Sequence, residues 1–368
     1  MTEIFKIVFM TSLYASFVGL IIIFFKWILK DRISSEWHYI IWVVLILKLI
    51  VPFGPESAVS LFNAVPIVAQ NTNLTQATEQ FHKSTAVMQQ ENPHALTAWK
   101  VQDTSLSIIT IVERYMPYFW LFGAILLSIW LLYINYSLNR KIKKRGIIAS
   151  ESINLIFEEC KNRMGVKRNI QIIRQDVIDT PALFGVFKPK ILLSPAILNL
   201  NDKDISYILL HELAHYKRKD LLANYLLLVL QIIHWFNPVI WYCFKRIRQD
   251  MEVAADQRVL AVLEGGEQKE YGKTLLVVLE SFSLPSLAPR LIGMIDDRKN
   301  MERRIRMIRM AEFFKSKRRL FMVTGILFVV ILCGVLLTNP LTKQVSFEIG
   351  NYTLKVPSDW KVKSVKLN

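Results

Sequence analysis

His211, Glu212 and His215 stand in the order His-Glu-Leu-Ala-His, and Glu252 and Asp256 repeat the same four-residue step thirty-seven residues beyond His215. On a helix, residues four apart share a face, so both imidazoles can converge on one metal ion while Glu212, one step round, faces the open coordination position. Neutral imidazole nitrogens suit zinc. A third protein ligand completes the cage, and a water takes the fourth position with its pKa lowered to roughly 7. Glu212 is then placed to accept that water's proton as it attacks a peptide carbonyl and to pass the proton to the leaving amine. The pattern implies zinc-dependent hydrolysis of a peptide bond at one Zn2+.

The same five residues also fit an amphipathic helix with two histidines and a solvated glutamate. Glu252 and Asp256 weigh against that reading, because their spacing puts a carboxylate ligand and a carboxylate partner on one face of a second helix. A ligating histidine commonly donates its other ring N–H to such an acceptor, and Asp256 can hold His211 in that way. The alternative for this pair is a solvated face paired with Arg248 or Arg258.

The elements that must position these residues belong to a membrane protein. Of 368 residues 52% are hydrophobic, and the mean hydropathy is +0.31, which points to lipid. The net charge of +16 lies beside apolar segments, where basic residues set topology and touch anionic lipid. No Gly-rich phosphate loop or zinc-finger spacing supports direct nucleic-acid binding. Cys160, Cys243 and Cys333 form no C-x-x-C pair and are expected as buried small hydrophobes.

Residues 4–25 carry one charge, Lys6, and are followed by Lys26, Lys30 and Arg32, which predicts a retained first span. Residues 37–53 predict a second, with Lys48 near one end and able to snorkel. Residues 1–54 thus hold two N-terminal transmembrane helices, and the polar stretch 55–105 is expected as an extracytoplasmic loop. A third span, within 106–138, is followed directly by Arg140, Lys141, Lys143, Lys144 and Arg145 with no acid among them. By the positive-inside rule that end is cytoplasmic, the N-terminus lies outside, and the multi-pass protein belongs in a bacterial cell membrane.

Residues 139–319 are then a cytoplasmic, membrane-associated α+β domain. A helix over 152–163, a strand over 170–173 and two strands around a turn in 180–195 precede the metal helix, for which Asp202 or Asp204 is the expected N-cap. Leu183, Phe184 and Gly185 lie where an edge strand would bind substrate as an added strand, although a purely structural hairpin fits equally. The apolar run 221–244 is long enough to cross a bilayer. A single crossing would carry Glu252 to the opposite face from His211, so the run must double back, lie along the interface or be buried, and Asn237-Pro238 is where it would bend. His234 is a candidate transition-state donor or a packed residue beside Trp235.

Residues 298–319 hold ten basic residues against Glu302 and Glu312, with Met301, Ile305, Ile308 and Phe313 interleaved, which predicts an amphipathic helix on anionic lipid. A fourth span over 320–338 precedes a short extracytoplasmic tail, 339–368, in which 346–356 alternates as a strand does. The fold class expected is a mainly α membrane protein: about four transmembrane helices with an α+β gluzincin-type zinc metallopeptidase domain between the third and fourth.

The 180–195 strand pair, His211 to Asp220 read as HELAHYKRKD, Trp235 to Trp241 read as WFNPVIW, and Arg248 to Glu252 leading to Asp256 resemble the BlaR/MecR-type antirepressor membrane metallopeptidases, within the gluzincin class. The resemblance covers roughly residues 1–340. It implies that His211, His215 and Glu252 are zinc ligands, that Glu212 is the catalytic base and that Asp256 supports His211. It also implies a receptor that cleaves itself and causes loss of a cytoplasmic transcriptional repressor. Self-cleavage is expected within residues 280–297, because a Ser- and Pro-rich loop there joins the zinc domain to the last span. A homodimer is compatible with this. The drug sensors of that group carry a large penicillin-binding domain after the fourth span, where this sequence has a short tail, so the input is expected through the 55–105 loop, the tail or a partner. Two other readings remain: a quality-control protease like the HtpX and CAAX-protease group, which is expected to have two full spans between its metal motifs, and a non-hydrolytic receptor or scaffold with structural zinc.

Overall fold

Among the described residues two helices are long and apolar enough to cross a membrane, over Thr2–Ile28 and Arg114–Arg145. They belong to α1 (Thr2–Leu29) and α4 (Leu96–Arg145), the latter passing Pro117 without ending. The computed structural model describes residues 1–29, 35–51, 96–178, 180–281, 298–310, 344–349 and 352–357, with 325, 327, 329, 330 and 332–337 of a further helical stretch. Residues 52–95, 282–297 and 311–324 lie outside these, and with them most of the expected loop and of the expected self-cleavage segment. Helix α4 begins at Leu96, inside what was expected as loop.

The stretch expected as a second span is helical over α2 (Ser35–Ile40) and α3 (Trp42–Ile50), which meet at Ile41, itself in the αR region and donating its N–H to the Trp37 carbonyl; residues 52 and 53 lie outside the described residues. Lys26 Nζ donates to the His38 carbonyl at 2.9 Å, and Trp42 Nε1 donates to Asp250 Oδ2 at 2.5 Å. Lys48 does not reach out from an end: it is 1% exposed, beside the Leu337 carbonyl and over the Tyr14 ring.

The peptidase region follows α4. Helix α5 (Glu151–Met164) packs on α7 (Asp202–Arg218). A four-stranded sheet in the order β1-β2-β4-β3 comprises β1 (Ile147–Ile148), β2 (Gln171–Arg174), β3 (Ala182–Phe184) and β4 (Lys190–Leu193). Strands β2 and β4 run parallel and the outer pairings are antiparallel, so β3 is an edge. Phe157, Ile172, Ile191, Leu209 and Leu213 form its core. Between sheet and metal helix lies one turn, α6 (Pro195–Leu198). Asn201, rather than Asp202 or Asp204, caps α7: its Oδ1 accepts the Asp204 N–H at 2.9 Å. The two aspartates instead occupy the first turn, where the helix dipole favours them.

Lys219, at φ 60°, turns the chain sharply from α7 into α8 (Asp220–Ile233). The apolar run does double back. Asn237 caps α9 (Pro238–Leu260) by accepting from Val239 and Ile240, while its Nδ2 donates to Ser12 Oγ and Ser16 Oγ at 2.7 Å each. Trp120 Nε1 donates to the Ile233 carbonyl and Trp235 Nε1 to the Trp120 carbonyl. The tip of the α8–α9 hairpin therefore lies against the middle of α1 and of α4.

Close approach at that tip depends on Gly123, where a Cβ would lie 2.4 Å from the Trp235 ring. Gly123→Ala is expected to cost about 1–3 kcal/mol through overpacking. Gly272→Ala, whose new Cβ would meet Ile305 at an ordinary 3.9 Å, is expected to be neutral or to stabilise its helix by about 0.5–1 kcal/mol. Thermal unfolding of the two variants in detergent checks the contrast; equal midpoints would contradict this packing.

Helices α10 (Glu267–Ser281) and α11 (Arg298–Arg309) close the region, α11 lying along α9. The described part of the stretch expected to rest on lipid, residues 298–310, also packs on protein. Met301, Met307 and Ile308 are buried in protein, and Arg303 and Arg304 turn inward to carboxylates of α9, whose charge outweighs what solvent or lipid headgroups offer. Beyond it, β5 (Gln344–Ile349) and β6 (Tyr352–Pro357) form an antiparallel hairpin where the tail was expected to alternate.

Candidate metal centre

Helix α7 presents His211 and His215 on one face, and α9 crosses it so that Glu252 meets both. The two Nε2 atoms are 3.1 Å apart, Glu252 Oε2 lies 3.3 Å from His211 Nε2, and Glu252 Oε1 lies 3.6 Å from His215 Nε2. Ligand atoms around a tetrahedral zinc, with bonds of about 2.0–2.1 Å, sit about 3.3 Å from one another. The observed separations bracket that value. Two imidazole nitrogens and a carboxylate facing one point suit a cation, so the residues present fit a metal.

Each imidazole is fixed from behind. His211 Nδ1 lies 3.2 Å from Asp256 Oδ1 and 3.0 Å from the Tyr271 hydroxyl, and Tyr271 donates to the same carboxylate oxygen at 2.5 Å. His215 Nδ1 lies 2.8 Å from Asp220 Oδ2, which also accepts from Arg218 Nε at 3.1 Å. Carboxylates behind both rings leave the Nε2 atoms free for a metal and set the tautomer.

Asp256 is itself held by Arg304, whose Nε and Nη2 donate to its two oxygens at 2.7 Å each, and Arg304 Nη1 lies 3.6 Å from Glu252. Burial alone would raise the Asp256 pKa, but Arg304 and His211 outweigh it and hold the carboxyl well below its usual range. For Glu252 burial is likewise outweighed, by His215, His211 and Arg304, and its pKa falls to about 2. Burial disfavours the charged form of His211, yet Asp256 and Glu252 raise its pKa to about 10. The cluster is rich enough in negative charge to hold a proton on imidazole when nothing else is bound, and a dication answers the same field.

Glu212 behaves differently. It is 6% exposed, and burial raises its pKa, with the two histidines and the Leu183 backbone N–H offsetting part of the rise. It lines, with the three metal-facing residues, a cavity of about 350 Å³ that runs along β3 and on between α4 and α8. Leu183 and Phe184 line this cavity; Gly185 does not, and its φ of 86° with a Cβ position 2.7 Å from the Lys188 carbonyl marks it as the turn residue of the strand pair. His234 is not brought to the site. It caps the far end of α8, fourteen residues from the end that carries Asp220, or about 20 Å along the axis.

A sequence model of the BlaR1 peptidase M56 family matches residues 6–308. The chain belongs to that family. It is 31% identical over 269 residues to the regulatory protein BlaR1 of Bacillus licheniformis, an alignment covering 70% of this chain and 43% of the relative. It is 26% identical over 316 residues to the methicillin resistance mecR1 protein of Staphylococcus aureus, covering 84% of this chain and 52% of the relative. The chain thus spans about half the length of these relatives. Membership of the BlaR1 peptidase M56 family implies a metal, typically zinc, and His211, His215 and Glu252 form the metal-capable cluster found among the described residues.

Asp220 behind His215, Tyr271 and Arg304 behind His211, and the Asp250 ion pairs beside the site were not read from the sequence. Tyr271 and Arg304 come from helices 15 and 48 residues beyond Asp256, and no local spacing ties them to it. Asp250, two residues before Glu252, lies in a recognised motif; its own buried ion pairs with Lys26 and Arg303 were hidden because Lys26 reads as an ordinary basic flank of a span.

Proposed function

We propose that this chain is an integral membrane zinc endopeptidase of transmembrane signalling, hydrolysing peptide bonds in itself or in a cytoplasmic regulator such as a transcriptional repressor. The observation that carries the reading is the convergence of His211, His215 and Glu252, at tetrahedral-edge separations, beside a buried glutamate in a cavity bordered by an open strand edge. His211, His215 and Glu252 would hold the zinc, which when bound polarises a peptide carbonyl and acidifies a water. Glu212 takes the proton from the attacking water and delivers it to the leaving amine, a task its raised pKa suits. Asp256 and Asp220 hold His211 and His215 in the productive tautomer. Strand β3 offers its free edge to an extended substrate, with Leu183 and Phe184 at the cavity wall.

Helices α1 and α4, and the stretch between them that begins with α2 and α3, would cross the bilayer, with the α8–α9 hairpin entering it beside α1 and α4 and turning back, so that Glu252 returns to the side that carries His211. The charge run after α4 supports a cytoplasmic location for that side. Two full spans between the metal motifs, the arrangement expected of the quality-control group, do not fit into α8 and the first turns of α9. The relatives' names, a regulatory protein and a methicillin resistance protein, support a signalling role.

Purified protein is expected to carry about one zinc per chain by elemental mass spectrometry, to lose peptide hydrolysis on chelation and to regain it with added zinc. His215→Ala is expected to abolish the stoichiometric zinc. Hydrolysis that survives complete chelation would overturn the assignment.

A further inference from the structure

Arg248 lies one turn before Glu252 on α9, on the same helical face, and lines the same cavity. Its guanidinium meets an uncharged partner: Nη2 donates to Gln231 Oε1 at 3.2 Å. Among the described residues no carboxylate forms an ion pair with it. The other arginines turned into this region differ, since Arg163 holds Glu267, Arg218 holds Asp220, Arg303 holds Asp250 and Arg304 holds Asp256. The cavity wall formed by α4 and the part of α8 beyond Asp220 mixes Leu131, Ile134 and Leu228 with the uncharged polar Asn135, Asn224 and Tyr225. A half-buried guanidinium without a counter-charge is costly to maintain, and in a substrate cavity it favours an anion that arrives with the ligand.

We propose that Arg248 binds a carboxylate of the substrate peptide, one or two residues from the bond that is cleaved. The spacing comes from geometry: one helical turn is about 5.4 Å, and an extended peptide advances about 3.3 Å per residue. The carboxylate belongs either to an acidic side chain or to the peptide's C-terminus. This assignment rests on the peptidase reading above, and it makes Arg248 a specificity residue of that site, with Gln231 holding the guanidinium in place between substrates.

The test uses the full-length, zinc-loaded protein in nanodiscs of zwitterionic lipid, with a library of peptides in matched versions: Asp or Glu against Asn or Gln, and a free against an amidated C-terminus. Binding is read on the Glu212→Gln protein and cleavage on the wild type. The Glu212→Gln protein is expected to retain carboxylate peptides at least about tenfold over their amide counterparts. Adding Arg248→Gln removes that preference, and adding Arg248→Glu reverses it toward lysine peptides, a gain that misfolding does not produce. A preference lost on amidation identifies the C-terminus as the source; one that persists identifies the side chain. Carboxylate selection through Arg248 without cleavage by the wild type would uphold this site and overturn the peptidase reading. Cleavage with no carboxylate preference, a preference that survives Arg248→Gln, or an Arg248-dependent preference for anionic lipid alone would overturn the proposal and leave the peptidase reading standing.

Discussion

Glu212→Gln is expected to lower peptide hydrolysis by about 10²–10⁴-fold while the protein keeps its zinc. The substitution preserves shape and one acceptor oxygen but removes the carboxylate that takes a proton. Glu212 does not belong to the metal-facing cluster, so metal content does not follow activity. Its surroundings strengthen the contrast. Burial holds the carboxyl above its ordinary pKa, so an amide there replaces a tuned base with a group that cannot accept a proton. Hydrolysis of a quenched peptide and zinc content, measured on the same preparation, check it. Activity within a few-fold of wild type would remove Glu212 from its role.

The second large effect is structural. Arg304 is 5% exposed and binds both oxygens of Asp256, which is itself 2% exposed. Arg304→Ala leaves that carboxylate buried without its cation, and breaking a buried pair from one side costs about 3–5 kcal/mol. Glu252 loses the same neighbour. The loss is expected to be greatest in chelated protein and smaller with zinc bound, because a dication at the histidines answers part of the uncompensated charge. Thermal unfolding of wild type and variant, each with and without zinc, measures this directly. A variant as stable as wild type after chelation would show that Arg304 does not hold the site together.

The site was legible in the sequence where it is local. His211, Glu212 and His215 sit on two turns of one helix, and Glu252 and Asp256 on another, so the four-residue step alone predicts which groups share a face. The bend at Asn237 was legible for a topological reason, since one crossing would have separated the ligands. Arg304 and Tyr271 were not, because their contacts with Asp256 depend on how α10 and α11 pack, which no spacing encodes. The same blindness hid a buried latch: Arg303 and Arg304 look like any basic residues until Asp250 and Asp256 are found beneath them. Residues 37–53 carry the hydropathy of a span, and what the sequence did not show is that Lys26 takes the His38 carbonyl and Trp42 donates to Asp250. His234 drew notice by being close to the site in sequence, which on a fourteen-residue helix leading away from it means distance in space.

The most direct test of the central claim compares new protein N-termini across the proteome of cells making the wild type with cells making Glu212→Gln, at matched levels and under several envelope stresses. The account predicts ends that occur with the wild type alone, including one within the chain itself or one in a cytoplasmic regulator. Identical sets of ends under every condition, from wild-type protein shown to carry zinc, would contradict it.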